Sequence, residues 1–361
     1  MCRQILRLDP ARLVVLDNSE ANLYHLTEEL NSKNENFKNT SFFPHLGSVL
    51  DCTTIDYIIN RYQIDTVYHA AAYKHVPIVE AQPDQGVQVN VFGTLNVLDS
   101  SIKNGVSDFM LISTDKAVRP TNSMGASKRV AELVLQAKSG LQNRTRISMV
   151  RFGNVLGSSG SVVPKFQKQI RNGGPVTITH REVTRFFMTI PEAAQLVLQS
   201  SALAKGGDVF VLDMGVPIKI LDLAESMVRL SGQQLKSESK HGTGVEIVET
   251  GLRAGEKMYE ELFIAANHEK TEIKRIFTAS EFSMPWDEIN NHLQKMQAQI
   301  QSKDYVGLRA LLLDLAFRSD NVTHKNGNAE QSVVRDKGYN GKRSAVYEKQ
   351  YVHNEKSTSD I

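Results

Sequence analysis

Cysteine is nearly absent: Cys2 and Cys52 are the only two in 361 residues. Two isolated thiols cannot build a disulfide framework, and they suit a reducing compartment. Neither sign of charge is in excess, since 42 Lys and Arg meet 40 Asp and Glu for a net of +2. That balance gives no strong pull toward nucleic acid or an acidic membrane surface. No apolar run approaches the ~20 residues needed to cross a bilayer, and the first residues do not follow a signal-peptide layout. The expectation is a cytoplasmic chain with no membrane segment of its own and no nucleic-acid partner. His69, His75 and His180 do not fall at metal-ligand spacing, so no metal is expected. From residue 319 onward Leu, Phe, Met and Trp are all missing. Residues 318–361 are therefore expected to form a disordered tail, unable to offset the entropy of ordering.

Taken whole, the chain is 41% hydrophobic, enough for one large core or two modest ones. Its apolar residues alternate between strand-like runs and helical periodicity. Residues 1–8 read as the end of an amphipathic helix and 13–17 as a buried parallel strand ending in a carboxylate. A helix at 20–30, a polar loop at 31–41, a short strand at 46–50 and a helix at 53–61 follow. Next come a strand at 66–72, a long helix at 86–104 and a strand at 108–114. A helix carrying Val130, Leu133, Val134 and Ala137 then leads to a strand at 146–156. This alternation predicts an α/β fold, a Rossmann-like doubly wound parallel sheet.

Such a sheet opens on a strand and a glycine-rich turn ahead of its first helix. The sequence has neither, so the first strand is expected to be missing and Met1 to be an internal methionine or the edge of a partial reading frame. Beyond 157 the elements shorten and loops dominate, which reads as a smaller α+β domain. It has a strand at 175–179, a helix starting at Pro191-Glu192, a strand at 208–213, a helix at 218–231, and a loop at 251–257 ahead of another helix. Residues 285–317 read as one or two further helices.

Residues 113–128 gather hydroxyls, a carboxylate and amines at the carboxyl end of a buried strand, where open α/β sheets bind ligands. Met124 and Lys128, four apart at a helix start, share the face that looks back at that strand end. Thr114-Asp115-Lys116, followed by Pro120, Asn122, Gly125 and Lys128, resembles the active-site segment of the extended short-chain dehydrogenase/reductases. Within them it is most similar to the CapD-type UDP-N-acetylglucosamine 4,6-dehydratases of polysaccharide biosynthesis. The similarity spans roughly residues 2–265. It makes 1–157 an N-terminally truncated NAD(P)-binding domain, 158–284 a mainly substrate-binding domain and 285–317 a C-terminal helical segment.

The resemblance implies oxidation at C4 of a UDP-sugar by NAD or NADP, loss of the C5 proton and the C6 hydroxyl as water, and return of the hydride to C6. That chemistry needs a base for the O4 proton, a base at C5 and an acid at C6. By position, Asp115 is the C6 acid, Lys116 the C5 base, and Lys128 the lysine on the nicotinamide ribose. An adjacent Asp-Lys pair alone is more often a surface ion pair; the spacing to Pro120, Asn122, Gly125 and Lys128 outweighs that reading. Met124 stands where these enzymes usually carry tyrosine, and a thioether has no proton to exchange. The O4 proton is then left to Thr114, Lys116 or an ordered water.

Cofactor contacts are expected from Asp17, Asp51, Cys52, Ala70, Ala71, Ala72, Asn90, Ser113 and Lys128. A carboxylate such as Asp17 suits a ribose 2′-OH, favouring NAD, and equally suits a helix N-cap. The nucleotide sugar is expected to meet Lys74, His75, Asn154, Ser161, Arg185, Arg253 and Glu256, the arginines offering planar forks to phosphate oxygens. Two rival readings stand beside the dehydratase: a nucleotide-sugar 4-epimerase, and a catalytically silent nucleotide-sugar binder lacking the glycine turn and the tyrosine. A homo-oligomer formed through helices of the cofactor domain is expected by analogy, and a longer form could carry membrane helices ahead of this chain.

Overall fold

Runs of β-branched and apolar residues become parallel strands where helices cover both faces of the sheet. The computed structural model describes residues 1–32, 39–142, 144–239, 243–264, 268–281 and 283–321. In chain order come α1 (Cys2–Leu6), β1 (Arg12–Asp17), α2 (Glu20–Ser32), β2 (Ser41–Leu46), α3 (Cys52–Tyr62), β3 (Thr66–His69), α4 (Val76–Ala81) and α5 (Pro83–Val87). A π-helical turn, Gln88–Gly93, joins α5 to α6 (Thr94–Lys103). Then follow β4 (Asp108–Ile112), a 3-10 turn (Asp115–Ala117), α7 (Ser123–Ser139) and β5 (Arg146–Arg151). The second half holds β6 (Asn154–Val155), α8 (Val162–Arg171), β7 (Val176–Ile178), β8 (Thr184–Arg185), β9 (Phe187–Met188), α9 (Ile190–Leu203) and β10 (Val209–Leu212). It continues with β11 (Ile218–Lys219), α10 (Ile220–Leu230), β12 (Ile247–Glu249), β13 (His268–Lys270), β14 (Ile276–Ala279), α11 (Trp286–Gln301) and α12 (Tyr305–Asn321).

The main sheet has the order β13-β14-β10-β5-β4-β3. β3, β4, β5 and β10 run parallel, and the antiparallel β14 and β13 close one side. β1 and β2 pair with each other in parallel as a separate ladder. Among the described residues neither β1 nor β2 is hydrogen-bonded to β3 or to the rest of the main sheet. The chain is thus a Rossmann-like α/β fold, with small two-stranded ladders (β7 with β12, β8 with β11, β6 with β9) beside the main sheet. No helix among the described residues is long and apolar enough to cross a membrane.

Several boundaries differ from the sequence reading, each for a local reason. The strand expected at 46–50 is β2, at Ser41–Leu46, beginning at the end of the stretch 31–41 read as a polar loop. It contains Pro44, and because β2 pairs only with β1 it can accept a residue with no N–H. The run 66–72 leaves the sheet after His69, and the run 146–156 divides, because Asn154–Val155 turns away to pair with Phe187–Met188. The helix expected at 86–104 is three segments, with a π turn in the middle. The next element described after the 251–257 loop is a strand, β13, and the next helix is α11. The helix pair at the C-terminus extends to Asn321, and residues 322–361 of the expected tail lie outside the described residues.

α7 is the most enclosed helix. Val130, Leu133 and Val134 are wholly buried, packed against Val87 and Val91 on one side and against Ile289, Leu308 and Leu312 of α11 and α12 on the other. Each such side chain contributes about 1.5–3 kcal/mol by leaving water.

Four charged side chains lock α7 to the sheet. Glu132 accepts from Arg151 Nε (2.8 Å) and Nη2 (2.5 Å), from Arg129 Nη1 (3.1 Å) and from Ser113 Oγ (2.6 Å). Glu281 accepts from Arg129 (2.9 Å) and from both terminal nitrogens of Arg151. Burial pushes the Glu132 pKa up, yet Arg151, Arg129 and Ser113 outweigh it and hold the carboxyl below its usual range. Glu132→Gln removes one of two carboxylates that balance two buried arginines. It is expected to cost about 3–5 kcal/mol, read from urea unfolding at neutral pH. Because the folded pKa is the lower one, this contribution is complete above the ordinary glutamate value of 4.5 and fades as pH falls through the lowered value. A loss below about 1 kcal/mol would show the cluster to be incidental.

Candidate functional site

β4 ends at Ile112, and the chain turns at once into the 3-10 turn that holds Asp115 and Lys116. Two backbone bonds fix the exit: Ser113 N donates to Val150 O (2.8 Å) and Asp115 N to Phe152 O (3.1 Å). Thr114 shapes the turn with one hydroxyl, which accepts from Lys116 N (3.3 Å) and donates to Asp115 Oδ1 (2.9 Å). Asn122 then caps α7, accepting from Gly125 N at 2.8 Å. Gly125 is required by crowding, since a Cβ there would lie 2.3 Å from Lys116 O. A side chain at 125 would push the Asp115–Ala117 turn out of place.

These elements form the floor of a cleft of about 520 Å³. Thr114, Lys116, Met124 and Lys128 line it, with Ser113, Ala70 and Ala72 on one side and Lys74, His75, Asn154, Ser161, Arg185, Arg253 and Glu256 on the other. Of the expected residues, Asp115, Asp17, Asp51, Cys52, Ala71 and Asn90 are not on its wall.

Asp115 is the instructive case. It is fully buried, Oδ1 bonds to Thr114 and to Lys116 Nζ (3.0 Å), and Oδ2 has no hydrogen-bond partner. The cleft reaches this carboxylate only through the Thr114 hydroxyl and the Lys116 ammonium. Lys116 also donates to Asn154 Oδ1 at 3.1 Å and lies 3.7 Å from Glu260 Oε1. Its pKa corrects an expectation. Burial pulls it down, but Asp115 and Glu260 prevail and raise it above the ordinary lysine value, so the resting amine is a cation rather than a ready base. Lys128 behaves in the opposite way. It is buried, donates to Ile112 O at 2.8 Å, and its pKa is lowered to about 8, chiefly by burial. Met124 is buried and faces the cleft with a thioether.

Several expected ligand contacts are structural instead. Asn90 spends its amide inside the protein, accepting from Tyr73 N (2.7 Å) and donating to Tyr73 O (3.0 Å) and Ser127 Oγ (2.8 Å). It ties the loop after β3 to α7. Asp51 caps α3 through Thr54 N (3.1 Å), and Asp17 accepts from Ser19 N (2.8 Å) at the start of α2. Asp51 is thus a helix cap, whereas Asp17 holds the turn before α2, where Ser19 Oγ accepts from Asn22 N at 3.3 Å. Arg185, expected on a phosphate, is bonded to the carbonyls of Thr184, Lys257 and Met258 and to Glu256 Oε1 (3.3 Å). It fastens the 256–260 loop to β8. Glu256 likewise accepts from Thr179 Oγ1 (3.0 Å) and Arg253 N (3.2 Å).

On the far wall α8 begins at Ser161, whose Oγ is buried without a partner. One turn on, Lys165 lines the cleft, a residue the sequence reading missed. Burial and then the neighbouring Arg253 lower its pKa, and burial alone lowers that of Lys74. Cations destabilised by burial and by one another, beside a helix N-terminus, suit an anion. Gly160 lies against the His75 ring, where a Cβ would come within 2.4 Å, and its φ of +68° also favours glycine. Among the described residues no group of His, Cys, Asp and Glu could hold a metal ion.

The nicotinamide end of a dinucleotide fits this wall: small Ala70 and Ala72, the Ser113 turn and the Lys128 ammonium all meet there. No glycine-rich turn follows a first strand to receive a pyrophosphate.

Comparison with known proteins agrees with this architecture. Pen from Bacillus thuringiensis, a solved structure, is 31% identical with a TM-score of 0.68, over 81% of this chain and 92% of that one. The chain is 48% identical over 262 residues to the capsular polysaccharide biosynthesis protein CapD of Staphylococcus aureus, covering 73% of this chain and 42% of CapD. It therefore spans less than half of that relative's length. A UDP-glucose 4-epimerase of Rickettsia canadensis (strain McKiel) is 36% identical over 230 residues, 63% of this chain and 64% of the epimerase. Residues 1–281 match the family described as polysaccharide biosynthesis protein. With that match covering most of its length, the chain belongs to the polysaccharide biosynthesis protein family, one of nucleotide-sugar dehydratase- and epimerase-like enzymes of the extended short-chain dehydrogenase/reductase type.

Proposed function

We propose that the protein is a nucleotide-sugar 4,6-dehydratase acting on a UDP-N-acetylhexosamine, with UDP-N-acetylglucosamine the first candidate. The observation that carries this reading is the Asp115–Lys116 pair at the strand end, linked to the cleft through Thr114. Lys74, Lys165 and Arg253 supply the positive wall for the diphosphate, with Ser161 at the head of α8. Lys128, Ser113, Ala70 and Ala72 hold the nicotinamide end of NAD or NADP, which when bound supplies oxidation at C4 and reduction at C6.

The residues of the chain move the protons. Met124 offers none, so the O4 proton passes to Thr114 Oγ1, whose own proton moves to Asp115 Oδ1, 2.9 Å away. Asp115 becomes a carboxylic acid, and the loss of its charge loosens the hold on the Lys116 proton, which leaves to solvent. Uncharged Lys116 takes the C5 proton. The Asp115 proton leaves by the same Thr114 hydroxyl to the C6 oxygen, which departs as water. Lys116 finally returns its proton to C5 and regains one from solvent, leaving Asp115 ionised and Lys116 a cation, as at rest. A 4-epimerase is the second reading, favoured by the Rickettsia relative.

Incubating the full chain with NAD+ and UDP-N-acetylglucosamine should give a product lighter by one water; a 4-epimer of unchanged mass would select the epimerase. Asp115→Asn and Lys116→Met are each expected to slow water loss by about 10²–10⁴-fold in steady-state assays. If neither changes it, the assignment fails. Lys128→Met should abolish nicotinamide binding yet stabilise the fold at pH 7 by about 1–3 kcal/mol, since a buried cation is removed. The sign follows from the pKa. Lys128 titrates near 8 when folded and at 10.5 as an ordinary lysine, so its cost is full below 8 and vanishes above 10.5. Urea unfolding of both proteins across that range should show the difference shrinking.

A further inference from the structure

The Lys116 amine is surrounded by acceptors on three sides. Asp115 Oδ1 lies at 3.0 Å and Asn154 Oδ1 at 3.1 Å. The third side faces Glu260 Oε1 across 3.7 Å, an ion-pair distance rather than a hydrogen bond. An ammonium has three protons and no lone pair, so two are spent on Asp115 and Asn154 and the charge is shared with the Glu260 carboxylate. Glu260 is itself enclosed, with its side chain 4% exposed and Oε2 buried without a hydrogen-bond partner. It stands in the wall of a second cavity of about 200 Å³ that Lys116, Lys74, His75 and Arg185 also line. The next residue, Glu261, is exposed and pairs with Arg119 instead. Of two adjacent glutamates, one is therefore committed to the catalytic turn.

We propose that Glu260 is a positioning residue for Lys116: its carboxylate holds the charge of the amine at rest, and so sets the pH at which the amine can lose a proton and turn its lone pair to the sugar. The inference rests on Lys116 being the C5 base. The charged groups facing Lys116 are Asp115 on its own turn, Glu260 from the loop after residue 257, and Arg185 from β8, with neutral Asn154 beside them. Lys74 and His75 share the cavity wall. Arg185 opposes the ammonium, so Glu260 and Asp115 are the two groups that favour it. Glu260 also meets Arg185 Nε at 3.5 Å. Arg185 keeps three backbone carbonyls and Glu256 without it, so the loop stays fastened when the carboxylate is lost.

The test needs neither sugar nor cofactor. Lys116 in the full chain is acetylated by trace acetic anhydride across a pH series and quantified by peptide mass spectrometry. In Glu260→Gln the labelling midpoint should fall by about one pH unit or more, so that labelling at a fixed pH below it rises about tenfold. Glu260→Asp, which keeps the charge on a shorter arm, should restore most of the wild-type midpoint. An unchanged midpoint in Glu260→Gln with a wild-type circular dichroism spectrum overturns the proposal. Should Glu260→Gln not fold, Glu260→Asp carries the test, with a smaller downward shift expected and no shift overturning it. Because the readout is the proton on Lys116 alone, a failed dehydration assay with a shifted midpoint would count against the reaction and not against Glu260.

Discussion

Everything at the cleft depends on the buried quartet of Glu132, Arg151, Arg129 and Glu281. Removing four charges from water is costly, and the arrangement survives because nearly every donor meets a carboxylate oxygen at close range. Its members come from α7, from the end of β5 and from the segment beyond β14, so it pins three separate stretches of chain to one point. Ser113 joins it through Glu132, and Ser113 is the residue on which the strand hands over to the Asp115–Ala117 turn. The position of the cleft floor is thus set by electrostatics one layer below it, among side chains that are not on the cleft wall.

Above that layer the charges are arranged on a different principle. The quartet is balanced and closed, whereas the cleft is unbalanced on purpose-built walls: crowded cations on the α8 side, a carboxylate with an unpartnered oxygen beneath the floor. Such groups gain from a bound polyanion and from proton movement, and the quartet supplies the rigidity that lets them remain uncompensated. Met124 fits this division. A thioether packs into the floor without adding a titrating group, which leaves Thr114 as the one hydroxyl joining the cleft to Asp115.

The sequence made the parallel strands and α7 legible, because period and turn residues agree there. The Thr114-Asp115-Lys116 turn and the Met124–Lys128 spacing were legible as well, since both lie on contiguous chain. What escaped depended on distant partners. Nothing distinguishes Glu260 from Glu261 in the run 257–261, and only the fold turns one inward and the other to Arg119. Glu132 reads as an ordinary polar helical residue until Arg151 is brought against it. Arg185 and Asn90 were expected at ligands by the resemblance; in the fold Arg185 bonds the 256–258 loop and Asn90 bonds Tyr73 and Ser127. β2 begins earlier than expected and contains Pro44, which a central strand would exclude and an edge strand accepts.

The covering of α7 by α11 and α12 bears on how the chain comes to be folded. The apolar side of α7, with Val130, Leu133 and Val134, meets partners some 150 or more residues later in the chain, among them Ile289 and Leu312. During synthesis α7 must therefore wait, its greasy flank uncovered, until α11 and α12 leave the ribosome. In that interval an apolar surface is open to wrong partners while the helix that bears it is already made.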